Sequence, residues 1–204
     1  MNYDLLKRHN KDILIIVVVL SSLIPLFFGY NVQNIIIFSF NSIPFLYVIS
    51  GIVLLFLLGR IIFSKIIDEK SISKMKGHEL IESFINKNEK WVKWVIFPLT
   101  MVMEELLFRF YAIIVIIDLI NLNSILAILI SSSIFSIYHI HFWFRYHDFR
   151  IFLSYLILSF FLGVLNGYVF IHNGLIPCVL IHYGMAFELY FYLYRKFYAE
   201  SQKR

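Results

Sequence analysis

Two adjacent carboxylates and a guanidinium stand in the middle of an apolar run. The run extends from Trp94 to Ile117, and Glu104, Glu105 and Arg109 are its only charged residues. A charge at the centre of a bilayer costs about 2.5–3.5 kcal/mol on insertion scales, so such residues need a partner or a function. In a helix, Glu105 and Arg109 share one face in the order that favours an ion pair.

Glu104 lies about 100° round the same helix, with no cation three or four residues ahead of it. The pattern therefore predicts one carboxylate held by Arg109 and one carboxylate available for chemistry. The alternative is a buried ion pair that only fixes the helix in its bundle. That alternative accounts for Glu105 and Arg109 but leaves Glu104 without a role.

The composition is that of a protein embedded in a membrane. The 204 residues are 60% hydrophobic and 15% charged, with mean hydropathy +0.80, whereas soluble domains carry about 25% charged residues. A single cysteine, Cys178, excludes a disulfide framework and a cysteine-rich metal site. The net charge of +5 does not indicate nucleic acid here, because Lys and Arg set orientation in membrane proteins. The expected partners are membrane lipid and a peptide or protein substrate.

The hydropathy pattern predicts an all-α, polytopic membrane helix bundle. About six spans are expected, at 13–28, 44–63, 94–117, 124–144, 151–171 and 175–194. The polar stretch 64–93 is predicted to be a cytosolic loop with a short amphipathic helix at 77–84. With the N-terminus in the cytosol, 17 of the 18 Lys and Arg residues fall on cytosolic segments. Both termini are therefore predicted to be cytosolic.

Two histidines occur in other spans at a similar depth. His139 follows Phe135 by four residues, hence on one face of the fourth span, and His182 lies in the sixth. At 1.5 Å per residue, Glu104, His139 and His182 lie about 15, 9 and 18 Å below the cytosolic edge. The three groups form one layer that could activate water. The alternatives are histidines that only bond a neighbouring helix and a small transporter, which the absence of inverted repeats disfavours.

Three further features of these spans have simpler interpretations. His141, two residues after His139, is expected to point away from it and to lie near the membrane interface. Gly163 and Gly167 form a G-x-x-x-G pattern, which permits close helix packing. Glu188, in the sixth span, could pair with a cation on the cytosolic side or be a further polar group near the site.

The hexad Glu-Glu-x-x-x-Arg, followed by Phe-x-x-x-His and a later helix carrying His, resembles the CPBP family. This family comprises the CAAX proteases and bacteriocin-processing (Abi) membrane enzymes, including the type II, Ras-converting CAAX endopeptidases. The resemblance covers about half of the chain and implies a four-helix catalytic core at 94–194. Two N-terminal spans with a cytosolic loop (1–93) precede the core, and a cytosolic tail (195–204) follows it. The matched positions are Glu104, Glu105, Arg109, His139 and His182.

The resemblance implies an intramembrane endopeptidase. Glu104, helped by His139, would take a proton from the attacking water, and His182 would stabilise the oxyanion. Glu105 and Arg109 would keep Glu104 in place. Glu104, His139 and His182 could instead bind zinc, with water as the fourth ligand. The H-E-x-x-H spacing is absent, so the sequence leaves both no cofactor and zinc open.

One position departs from the family pattern. Where the family has Asn or Asp four residues after its last histidine, this chain has Ala186. Tyr183 and Asn166 are candidate replacement donors. Ala186 also keeps open a non-catalytic bacteriocin immunity or regulatory membrane protein of the same fold.

The substrate class rests on composition. Frequent Ile, Phe and Asn, and more Lys than Arg, suggest a protein of a microbial cell membrane. A leader or signalling peptide is therefore favoured over a prenylated C-a-a-X tail.

Overall fold

The chain folds into helices that follow one another with short connections. The computed structural model describes residues 3–35, 37, 42–85 and 90–201, and within these ranges it contains no strand. The helices are α1 (Tyr3–Phe27), α2 (Ser42–Lys65), α3 (Glu69–Met75), α4 (Glu79–Ile85), α5 (Phe97–Glu105), α6 (Ala112–Asp118), α7 (Ser124–Tyr138), α8 (His141–Tyr146), α9 (Phe149–Asn173) and α10 (Leu175–Ser201). Two π-helical segments, Val92–Ile96 and Leu106–Tyr111, flank α5. The prediction of an all-α protein is confirmed.

Among the described residues, five helical segments are long and apolar enough to cross a membrane. They are Asn10–Phe27, Phe45–Lys65, Ser124–Tyr146, Phe149–Asn173 and Leu175–Phe197, and the chain is an integral membrane protein. They coincide with five of the six predicted spans. The remaining one, 94–117, is helical throughout, but the π-helical segment Leu106–Tyr111 divides it and it carries the three charges.

Helix boundaries differ from the prediction mainly in the segments that were predicted to be cytosolic. The stretch 64–93 contains two short helices, α3 and α4, where one at 77–84 was predicted. Asp68 starts α3, because its carboxylate accepts a hydrogen bond from the Ser71 N–H. Helix α10 continues to Ser201, through most of the predicted tail. Predictions for residues 1–2, 36, 38–41, 86–89 and 202–204 lie outside the described residues.

Ion pairs join the connections at one end of the bundle. Glu79 of α4 pairs with Lys11 of α1 (2.7 Å) and with Arg145 of α8 (3.8 Å). Asp148, between α8 and α9, pairs with Lys74 of α3 (2.9 Å) and caps the first N–H groups of α9. The segments that were predicted to be cytosolic from their Lys and Arg content therefore meet at the same end.

Helices α7 and α9 pack closely against each other. A Cβ atom added at Gly163 would lie 2.9 Å from the Ser132 Cβ, and one added at Gly167 would lie 2.8 Å from the Ile128 Cγ2. Side chains at these positions would overlap α7, so only glycine permits this approach. The packing interpretation of the G-x-x-x-G pattern is confirmed.

Candidate active site

The site is built on the Glu105–Arg109 ion pair. The Arg109 Nε lies 3.2 Å from the Glu105 Oε2, and both side chains are fully buried. The Arg109 Nη1 donates to the Ser131 Oγ at 3.4 Å, and the guanidinium lies over the Phe135 ring, 4.5 Å from its centre. A carboxylate and an aromatic face thus offset the buried charge. The predicted local pair is present, and its Arg109 lies within the π-helical segment Leu106–Tyr111, a kind of segment that often occurs at functional sites.

Glu105 has a second partner that the sequence did not suggest. The His182 Nδ1 lies 2.7 Å from the Glu105 Oε1. A carboxylate oxygen accepts hydrogen bonds from a ring N–H, so Nδ1 carries the hydrogen. The His182 Nε2 then faces Glu104, 3.6 Å from its Oε2. Glu105 therefore fixes both Arg109 and His182. Spacing gives no signal for this contact, because Glu105 and His182 are 77 residues apart.

His139 lies in the turn that follows α7, one residue past the helix end where a helical position was predicted. Its Nδ1 donates to the Phe135 carbonyl oxygen at 2.9 Å, which leaves Nε2 as an acceptor. The fully buried Phe135 ring contacts the His139 ring edge-to-face at 4.8 Å and the His182 ring at 5.6 Å. Phe135 thus packs against both histidines and Arg109.

A cavity of about 1750 Å³ contains this chemistry. Glu104 of α5, His139 of the turn after α7 and His182 of α10 all line it. The Glu104 Oε2 is buried and has no hydrogen-bond partner among the described residues. The structure thus brings the five predicted residues together, with three of them on the wall of one cavity.

Of the two candidate replacement donors, neither Tyr183 nor Asn166 is among the described residues that line the cavity, whereas Ala186 is. Asn166 is fully buried, donates to the Cys178 carbonyl oxygen and lies near the Glu105 carboxylate. One secondary expectation about the site was wrong. His141 was expected to point away from His139, but its ring lies 5.7 Å away and it lines the cavity. The turn after α7 removes the helical offset on which that expectation relied.

Glu188 lies at the edge of the site. It lines the large cavity and also a smaller one of about 490 Å³, beside Arg60, Arg195 and Lys196. Nearby cations of α2 and α10 favour charge compensation over a direct catalytic role for Glu188.

Zinc at Glu104, His139 and His182 stays a prediction from the sequence. Among the described residues, no three His, Cys, Asp or Glu side chains are placed so that they could hold one metal ion, and no catalytic step is assigned to a metal.

The comparison with protein families agrees with the geometry. Residues 87–187 match the model of the family described as type II CAAX prenyl endopeptidase Rce1-like. Over these residues the chain belongs to that family. The Rce1-like segment contains all five predicted site residues and confirms the resemblance drawn from the motifs. No match was found among curated proteins or among solved structures.

Proposed function

We propose that the protein is an intramembrane endopeptidase that hydrolyses a peptide bond with water activated by Glu104 and His139. The supporting observation is the convergence of Glu104, His139 and His182 on one cavity, where Glu104 Oε2 and His139 Nε2 can accept hydrogen bonds from water. Family membership over residues 87–187 adds support, because the family is named for endopeptidases.

In this mechanism a water molecule lies between Glu104 and His139. The Glu104 carboxylate accepts a proton from the water as its oxygen attacks the peptide carbonyl carbon, and the His139 Nε2 orients the water as an acceptor. The tetrahedral intermediate then collapses with cleavage of the C–N bond. Glu104 returns the proton to the leaving amine.

His182 is the proposed oxyanion donor. Its Nδ1–H is used by Glu105, so only a ring protonated at both nitrogens can donate from Nε2 to the oxyanion. Charge balance supports this state. The carboxylates of Glu104 and Glu105 then face the cations of Arg109 and His182, and a buried cluster without net charge avoids the large penalty of an uncompensated ion.

The proposed substrate is a membrane-associated peptide, either a leader or signalling peptide or a C-a-a-X-type tail. The family name supports the tail, and the microbial composition supports the leader. The cavity accommodates either, since apolar side chains dominate its wall and Lys11, His78 and Arg145 line it at the end where the cytosolic connections meet.

A non-catalytic protein of the same fold is the second candidate. The observation that favours it is Ala186, which lines the cavity four residues after His182 and offers no side-chain donor. Such a protein would bind a peptide or a partner in the cavity without cutting it.

Cleavage of pooled leader and C-a-a-X peptides by purified protein in detergent tests both candidates. The parent, Glu104→Gln and Ala186→Asn proteins are compared, each with and without a zinc chelator. Cleavage by the parent that Glu104→Gln abolishes supports the endopeptidase, and insensitivity to the chelator supports water activation without zinc. Equal cleavage by parent and Glu104→Gln contradicts the role of Glu104. Cleavage by Ala186→Asn alone supports the non-catalytic candidate.

A further inference from the structure

Three side chains outside the catalytic cluster form a hydrogen-bonded chain along the cavity wall. The His78 Nε2 lies 3.0 Å from the Tyr190 hydroxyl, and that hydroxyl lies 3.2 Å from the Tyr155 hydroxyl. These hydrogen bonds join the connection before α4 to α10 and α9, and all three residues line the cavity. His78 and Tyr190 lie outside the segment that matches the family.

These three side chains carry more polar hydrogens than their two hydrogen bonds use. The His78 Nδ1 accepts the Leu80 N–H at 3.2 Å, so a neutral His78 carries its hydrogen on Nε2 and donates it to Tyr190. Burial, with the nearby charges of Arg145 and Lys11, holds the pKa of His78 well below its ordinary value of 6.5, which favours this neutral form.

Three hydrogens, one on His78 Nε2 and one on each tyrosine, thus serve two hydrogen bonds. Whichever tyrosine donates to the other, one hydroxyl hydrogen is left without an acceptor among the described residues. Buried donors are almost always satisfied, so this hydrogen calls for an acceptor in the cavity.

The spare donor lies on the catalytic side of α10. Ala186 and Tyr190 follow His182 by four and eight residues, which places all three on one side of the helix. The Cα level of Tyr190 is about 12 Å beyond that of His182, and long helical side chains lean back towards the N-terminus. An extended peptide covers this reduced distance in about two to three residues, at roughly 3.3 Å each. The small Ala186 side chain leaves the path between them open.

We propose that the Tyr155–Tyr190 hydroxyl pair donates its spare hydrogen to a backbone carbonyl oxygen of the bound peptide. The carbonyl belongs to a residue two to three positions from the cleaved bond, on the side that faces the cytosolic connections. This inference rests on the proposed endopeptidase function. It assigns the pair to peptide binding and not to the chemical step.

Peptide binding by proteins that carry Glu104→Gln tests the proposal. The probe is a fluorescein-labelled peptide ending in an S-farnesylated C-a-a-X tail, and Kd is measured by fluorescence anisotropy in detergent. Tyr155→Phe is expected to change Kd little, because the Tyr190 hydrogen is then free. The double change Tyr155→Phe/Tyr190→Phe is expected to weaken binding about three- to tenfold, the worth of one hydrogen bond.

Tyr146→Phe is the matched control. The Tyr146 hydroxyl is also buried, but it has no hydrogen-bond partner among the described residues, and Tyr146 is not one of the described residues that line the cavity. The control is expected to leave Kd unchanged. Unchanged Kd in the double variant, with parental helicity and thermal stability, would overturn the proposal while the endopeptidase function stands.

A second measurement does not depend on folding of the double variant. Backbone carbonyls of the probe are replaced one at a time by methylene groups, and each peptide is titrated against the Glu104→Gln protein. One position near the cleavage site is expected to lose about three- to tenfold in affinity. No loss at any position contradicts the carbonyl contact. No binding of the unmodified probe, nor of a labelled leader peptide titrated beside it, contradicts the endopeptidase proposal as well.

Discussion

Arg109→Met is the perturbation that most directly tests how the site is held. The change leaves the Glu105 carboxylate fully buried without its cation. Breaking a buried ion pair in this way costs about 3–5 kcal/mol, because one charge stays desolvated and uncompensated. Loss of the guanidinium from the Phe135 face adds to the cost. We expect the free energy of unfolding to fall by about 3–5 kcal/mol, a decrease of more than a hundredfold in the folded-to-unfolded ratio.

The double variant Glu105→Gln/Arg109→Met separates charge from packing. A glutamine at this position is neutral, and its amide oxygen can still accept the His182 Nδ1–H, so most of the lost stability is expected to return. Unfolding by SDS titration in mixed micelles, followed by circular dichroism, measures all three proteins. A stable Arg109→Met protein, or a double variant no more stable than Arg109→Met, would refute the assignment of Glu105–Arg109 as a compensated buried pair.

Three other changes have expected outcomes. Glu104→Gln should lower the cleavage rate about 10²–10⁴-fold, because the amide cannot take the proton of the attacking water, while circular dichroism shows parental helicity; cleavage at the parental rate would contradict the role of Glu104. Gly163→Ala should lower the free energy of unfolding by about 1–3 kcal/mol, because the added methyl group overlaps Ser132. The control Gly184→Ala, where an added Cβ meets no atom within 4 Å, should be neutral or stabilising by up to about 1 kcal/mol. Equal unfolding free energies of the two variants would exclude the close approach of α7 and α9. Burial raises the pKa of Asp148, but bonds from Lys74 and the Ile151 N–H outweigh it and hold that pKa below 3.8. The contribution of Asp148 to stability is therefore present above pH 3.8 and lost as the pH falls through the lowered pKa. Asp148→Ala should lower the free energy of unfolding by about 1 kcal/mol at neutral pH, and the two proteins should become equally stable in acid. A difference in unfolding free energy that does not change with pH would contradict the lowered pKa.

Local features of the fold were predictable because helix geometry depends on near neighbours. The Glu105–Arg109 pair follows from a four-residue spacing, and the packing of α7 on α9 follows from Gly163 and Gly167. The grouping at one end of the connections predicted to be cytosolic follows from where Lys and Arg fall. The boundaries of α3, α4 and the end of α10 were less accurate, because caps and packing against neighbouring helices decide them.

The candidate site was predictable as a set of residues and not as a set of contacts. A carboxylate in hydrocarbon is costly unless it has a partner or a function. Glu104 could therefore be selected from hydropathy, and His139 and His182 from their similar depth. The bond from His182 to Glu105 could not, because the two residues are far apart in sequence and come together only when α10 packs on α5.

By itself, the sequence determined that this protein lies in a membrane and which charged residues fall within its apolar helices, while the cytosolic side stays a prediction from Lys and Arg content. Hydrophobicity and helical period are properties of each segment alone. Only the tertiary structure decided that Glu105 contacts His182 as well as Arg109, and that Phe135 packs against both histidines. The same holds for the hydrogen bonds that link His78, Tyr190 and Tyr155. These contacts join distant segments, so their geometry depends on how the helices pack.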